Sequence, residues 1–119
     1  MINNIKKPFF IAEISCNHCG NLQLAKKLIS EAKKNGASAV KLQTYEPDNM
    51  TFKSNKKYFK IQSGLWKNWN LWDLYKKAHT PYSWHKELFN YAKKKKIKIF
   101  STPFDNSGVE LLENLIANV

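Results

Sequence analysis

Arginine is absent from this chain: all 20 basic residues among its 119 are lysine, set against 9 acidic ones. The formal charge of +11 raises the question of nucleic acid. Yet specific readers of phosphates and base edges rely on arginine's planar, bidentate fork, which lysine does not supply. No run of about 18 apolar residues occurs, so no membrane span is expected. Glycine numbers 4, and no glycine-rich phosphate loop of the dinucleotide or Walker type is present, which disfavours nucleotide cofactors. The opening, Met1 to Lys7, lacks the apolar core and small-residue cleavage site of a signal peptide, so a cytoplasmic location is the expectation. Cysteine is scarce as well: Cys16 and Cys19 flank Asn17 and His18 in a C-x-x-C spacing. That spacing fits a redox pair, half of a zinc site, or coincidence. Zinc would need four ligands, and the other histidines, His79 and His85, lie far along the chain. A thioredoxin-like motif opens a helix directly, whereas Gly20 and Asn21 intervene here.

What is present is a rhythm of short apolar segments and helical patterns. Phe9 to Ile14, Ser38 to Tyr45, and Ile97 to Thr102 read as three strands. A helix from about Asn21 to Asn35 carries Leu24, Leu28 and Ala32 on one stripe, with Ala25 and Ile29 beside them, and Gly36 just past its end. A second helix is expected near Trp69 to Lys77. A third has Thr80 as cap, Pro81 in its first turn and Trp84, Leu88, Tyr91 and Ala92 on its stripe; the lysine run 93–96 closes it at the carbonyl end of the macrodipole. A last helix starts after Asn106 or Ser107, with Val109, Leu112 and Ile116 facing inward. Strands alternating with helices imply an α/β fold of parallel β/α units. Three parallel strands leave both edges open, and a fourth strand should follow Val119, so the chain reads as part of something larger.

In such folds ligands meet the carboxyl ends of the strands. Those ends carry Glu13, Asn17 and His18, then Lys41, Gln43 and Thr44, then Ser101, Thr102 and Asp105. Glu13 and Lys41 are the sharpest cases, because each charge interrupts an apolar strand and is costly there unless paired or functional. One reading is a structural ion pair across neighbouring strands. The other is a carboxylate and an ammonium lining an active site. Ser101-Thr102-Pro103-Phe104 offers hydroxyls at a rigid turn, which suits an anion but also ordinary turn chemistry.

Phe10-Ile11-Ala12-Glu13-Ile14 with Asn17-His18 and Gly20, then Gly36-Ala37 with Ala39 to Tyr45, then Phe100 to Asp105 resemble, in order and spacing, the sialic acid synthase family. Gly64-Leu65-Trp66, Asp73-Leu74-Tyr75, Thr80-Pro81 and Trp84-His85 resemble its pseudaminic branch rather than its N-acetylneuraminate branch. The resemblance implies a TIM-type (β/α)8 barrel, of which residues 1–119 form the N-terminal three-strand portion. The remaining barrel and a C-terminal antifreeze-like domain are then absent, and the chain is expected to be inactive alone. It further implies condensation of phosphoenolpyruvate with 2,4-diacetamido-2,4,6-trideoxy-altrose, releasing phosphate and forming a nonulosonic acid. Glu13 becomes the catalytic residue, handling a proton or steadying a developing cation. Lys41, Ser101 and Thr102 hold phosphoenolpyruvate, and Gln43 and Asn17 touch the sugar or order the pocket. A divalent metal, manganese or magnesium, goes with the intact family; its ligands are not among these residues. A homodimer is expected, with neither nucleic acid nor membrane as partner. The alternatives are an N-acetylneuraminate synthase fragment or a small basic module for RNA or an acidic protein. Cys19 departs from the family pattern, which places a polar residue such as asparagine there.

Overall fold

The computed structural model describes residues 8–117; Met1 to Lys7, read above for leader character, and the last two residues lie outside them. The elements are β1 (Ile11–Glu13), α1 (Leu22–Lys34), β2 (Ala39–Thr44), α2 (Pro47–Met50), α3 (Leu71–Ala78), α4 (Tyr82–Lys94), β3 (Lys98–Pro103) and α5 (Asn106–Ala117). The strands form one parallel sheet in the order β1-β2-β3. Glu13 pairs with Lys41, Lys41 with Phe100, and Gln43 with Thr102.

Alternation along the strands divides the sheet into two unlike faces. One face, with Ile14, Val40 and Leu42, packs under α1, α4 and α5 through Ala25, Ile29, Leu88, Phe89, Ala92, Leu112 and Leu115. Burying each large aliphatic side chain in this layer contributes about 1.5–3 kcal/mol. Among the described residues no helix covers the other face, which leaves Ile11 49% and Phe100 39% exposed. It also carries Glu13, Lys41, Gln43 and Thr102.

The helix ends follow from local chemistry. Asn21 caps α1 by accepting the Leu24 amide at 3.0 Å, and Gly36 takes the left-handed conformation (φ 87°) that ends it. Thr80 does not cap α4, which begins at Tyr82 after Pro81. Its hydroxyl is occupied instead by the buried ring of His18, 2.9 Å away. The inner face of α5 also differs from expectation: Gly108, Leu112 and Leu115 are buried, while Val109 and Ile116 are exposed. A Cβ at Gly108 would meet Pro103 Cβ and Thr44 Cγ2 at 3.3 Å, and this close approach sets the rotation of the helix on the sheet. The long second crossover is organised by more than α3. A 3₁₀ turn (Lys57–Phe59) and an antiparallel bridge between Lys60 and Asn70 shape it, and the Trp72 indole donates to Asp48 Oδ1 at 2.6 Å.

Candidate active site at the carboxyl ends of the strands

A cavity of about 520 Å³ opens at the carboxyl ends of the strands. Cys16, Asn17 and Cys19 line it from the β1–α1 loop, Gln43 and Tyr45 from the end of β2, and Phe104 from beyond β3. The second crossover closes the far side with Met50, Trp66, Leu74, Tyr75, Lys77 and Ala78. The size suits a small ligand, and an apolar wall with few polar groups fixes orientation by those few. Tyr45 meets Tyr75 and Phe104 edge-on, at 5.9 and 5.8 Å between ring centres. Burial, with smaller contributions from Cys16 and Tyr75, pushes the Tyr45 phenol up to about 12, so it is a neutral donor.

The residues singled out from the sequence do not all gather here. Asn17 and Gln43 line the cavity. Lys41 lies two residues before Gln43 on the same face, about 7 Å down the strand. Its Nζ is 2.6 Å from Glu13 Oε2, and the Ser15 amide donates to Glu13 Oε1 at 3.1 Å. Thr102 is the register partner of Gln43. Glu13, Lys41, Gln43 and Thr102 therefore form one polar track on the helix-free face, leading up to the cavity. Ser101 lies apart from it. Adjacent residues of a strand face opposite sides, and the Ser101 hydroxyl is 2.6 Å from Thr44 Oγ1 beneath the helices.

That hydroxyl belongs to a buried relay. His85 Nδ1 lies 3.1 Å from the Pro81 carbonyl and so donates to it, which leaves Nε2 to accept from Thr44 at 2.7 Å. Thr44 in turn accepts from Ser101. His18 has the opposite tautomer: Nδ1 accepts the Gly20 amide at 3.1 Å, and Nε2 donates to Thr80. Burial holds both imidazoles below their ordinary value; the charge of His79 adds to this at His18, and carbonyl bonds from Pro81 and Tyr82 oppose it at His85. Asp105 ties the turns together. Its Oδ1 accepts from the Gly108 amide (2.6 Å), Ser107 (2.7 Å) and Tyr82 (3.0 Å), and its Oδ2 from Asn49 (2.9 Å). Partial burial raises its pKa, but those donors outweigh that and hold the carboxyl well below the usual range.

Sequence reasoning missed the aromatic wall of the cavity because Tyr45, Trp66, Tyr75 and Phe104 come from separate segments of the chain. The buried role of His85 did have a signal, since His85, Leu88, Phe89 and Ala92 stand at helical spacing. Among the described residues, no group of three or more His, Cys, Asp or Glu side chains is arranged to hold a metal ion. No helix among them is long and apolar enough to cross a membrane. Several lysines lie over aromatic rings, with Lys53 4.3 Å and Lys76 5.3 Å from the centre of the Trp72 ring and Lys77 4.9 Å from that of Trp69, rather than forming a bare basic patch.

Comparison with known proteins gives this arrangement a family. The NeuB family model matches residues 28–119. The chain belongs to the NeuB family. Pseudaminic acid synthase of Campylobacter jejuni is 49% identical to it over 111 residues, covering 93% of this chain and 32% of that protein. The Helicobacter pylori pseudaminic acid synthase is 48% identical, over 93% of this chain and 33% of that protein. A crystal structure of N-acetylneuraminic acid synthetase from Leptospira borgpetersenii, in complex with citrate, matches with a TM-score of 0.73 and 30% identity, over 97% of this chain and 37% of that one. This NeuB-family chain thus spans about a third of the length of the curated relatives it matches. The expected family and the α/β fold of parallel units, part of a sialic-acid-synthase-type barrel, are borne out.

Proposed function

We propose that this chain supplies the donor-binding face and one wall of the sugar pocket of a pseudaminic acid synthase, which joins phosphoenolpyruvate to 2,4-diacetamido-2,4,6-trideoxy-altrose. The polar track of Glu13, Lys41, Gln43 and Thr102 below an apolar cavity carries this reading. A purely structural Glu13–Lys41 pair accounts for it less well. Its side chains are 41% and 32% exposed, and ion pairs that open to water contribute no more than about 1 kcal/mol. A pair worth so little opens readily to a charged ligand.

In the reaction, the methylene carbon of the donor bonds to the aldehyde carbon of the open-chain sugar. Its enol carbon becomes cationic, water adds there, and phosphate departs. Lys41 is the cation for the donor's anionic groups, which compete with Glu13 for it. Glu13, released from Lys41, then steadies the cationic carbon or takes the proton of the adding water. Thr102 donates a hydroxyl to the donor, and Gln43 and Asn17 bond the sugar. Ser101, turned under the helices, acts through Thr44 by holding the end of β2. A divalent metal goes with the resemblance, but the described residues gather no donor set for it, and no step here runs through it. The two substrates, a homodimer and a cytoplasmic setting complete the reading.

Titrating phosphoenolpyruvate into the chain while following amide and side-chain NMR signals tests it. Shifts should concentrate on Lys41, Gln43 and Thr102 and vanish in Lys41→Ala. Shifts spread evenly over the surface lysines would contradict the reading.

A further inference from the structure

The two thiols of the C-x-x-C loop lie on the cavity rim and have no part in the chemistry above. Both thiols are exposed, and both line the cavity. The loop between them is held in shape at several points. The Asn17 amide donates to the Ile14 carbonyl at 2.9 Å, the Cys19 amide to the Cys16 carbonyl at 3.2 Å, and the Asn21 amide to the His18 carbonyl at 2.9 Å. His18, between the cysteines, is fully buried and bonded at both ring nitrogens. The cysteines are therefore the first and fourth residues of a closed turn, whose ends lie less than about 7 Å apart. Disulfides span Cα separations of roughly 4.4–6.8 Å. The Cys19 thiol also folds back along the loop, 3.5 Å from the Asn17 carbonyl.

We propose that Cys16 and Cys19 form a redox-active dithiol on the rim of the cavity, which a low-molecular-weight disulfide oxidises to an intraloop disulfide. One thiolate attacks the small disulfide, giving a mixed disulfide and releasing one small thiol. The second thiolate displaces the other small thiol and closes the Cys16–Cys19 bond. Two protein thiols are oxidised, one small disulfide is reduced, and both protons leave on the released thiols. The closed ring contains Asn17, so oxidation stiffens the part of the rim that reaches into the cavity. Neither thiol touches the Glu13–Lys41 track, so closure does not depend on whether the cavity takes a sugar, and the two proposals fail separately.

The test is oxidation of the full 119-residue chain with glutathione disulfide, followed by acid quench, alkylation and intact-mass measurement. The expected product is lighter by two hydrogens and takes no alkyl groups. Its ratio to glutathione adducts should be at least about tenfold higher than in the same chain in guanidinium chloride, because a preformed turn removes part of the ordering cost of closure. Cys16→Ser should stop at one persistent glutathione adduct on Cys19. Mixed disulfides predominating in the folded chain, equal ratios folded and denatured, or no glutathione adduct in either Cys16→Ser or Cys19→Ser would each overturn the proposal.

Discussion

Replacing Asp105 removes the link that holds three turns together, and the size of the loss can be worked from its partners. Asp105→Ala deprives the Gly108 amide of its acceptor, and losing such a helix cap costs about 1 kcal/mol. Tyr82 and Asn49 lose a charged acceptor as well. Hydrogen bonds to charged groups are worth roughly 1.5–3 kcal/mol, but these lie near the surface, where water replaces much of the loss. The sum is on the order of 2–3 kcal/mol, or roughly 8–15 °C in Tm for a domain of this size. Asp105→Asn should fall between, because it keeps an acceptor for Gly108 and turns an amide donor toward Asn49. The carboxyl is depressed in the folded chain, so its contribution is complete above the unfolded value near 3.9 and fades as pH falls below it. Thermal melts at pH 7 and pH 3 should therefore show a gap between the parent chain and Asp105→Asn that narrows in acid. An Asp105→Ala Tm within a degree or two of the parent, or a gap that widens in acid, would refute this account of the turn.

Two further outcomes follow from the same contacts. Both buried histidines have lowered pKa values, so the unfolded chain binds the extra protons; stability is complete above about pH 6.5 and declines as pH falls through the window below it. Denaturation midpoints at pH 7.5 and 5.5 should show the drop, and His85→Gln should reduce it. The helix-free sheet face exposes Ile11 and Phe100, and β1 and β3 each pair along one side among the described residues. The chain should self-associate in light-scattering chromatography, and Phe100→Lys should shift it toward the monomer; an already monomeric parent would count against an open face.

Much of this architecture was legible because a parallel strand buried on one face still reads as an apolar run. Val40, Leu42 and Ala39 mark β2 unmistakably. β1 is shorter than its apolar run, since only Ile11 to Glu13 pair with β2, and Phe9 and Phe10 lie exposed. The rotation of α5 could not be read, because it depends on how closely Gly108 approaches Pro103 and Thr44. The separation of Ser101 from Thr102 was legible in principle: neighbouring strand residues face opposite sides, so both hydroxyls could not join one site. The cavity wall was not legible, since Trp66, Leu74 and Tyr75 come together only through the bridge and caps that fold the second crossover.

The most direct measurement places this chain in a working enzyme. A chimera in which it replaces the matching third of the Campylobacter jejuni relative should release phosphate from phosphoenolpyruvate only when the amino sugar is present. Lys41→Ala or Glu13→Gln in that chimera should lower kcat/KM by at least about 100-fold, the scale of one lost transition-state contact. A chimera that turns over equally well with Lys41→Ala and Glu13→Gln would contradict the assignment of this face to the donor.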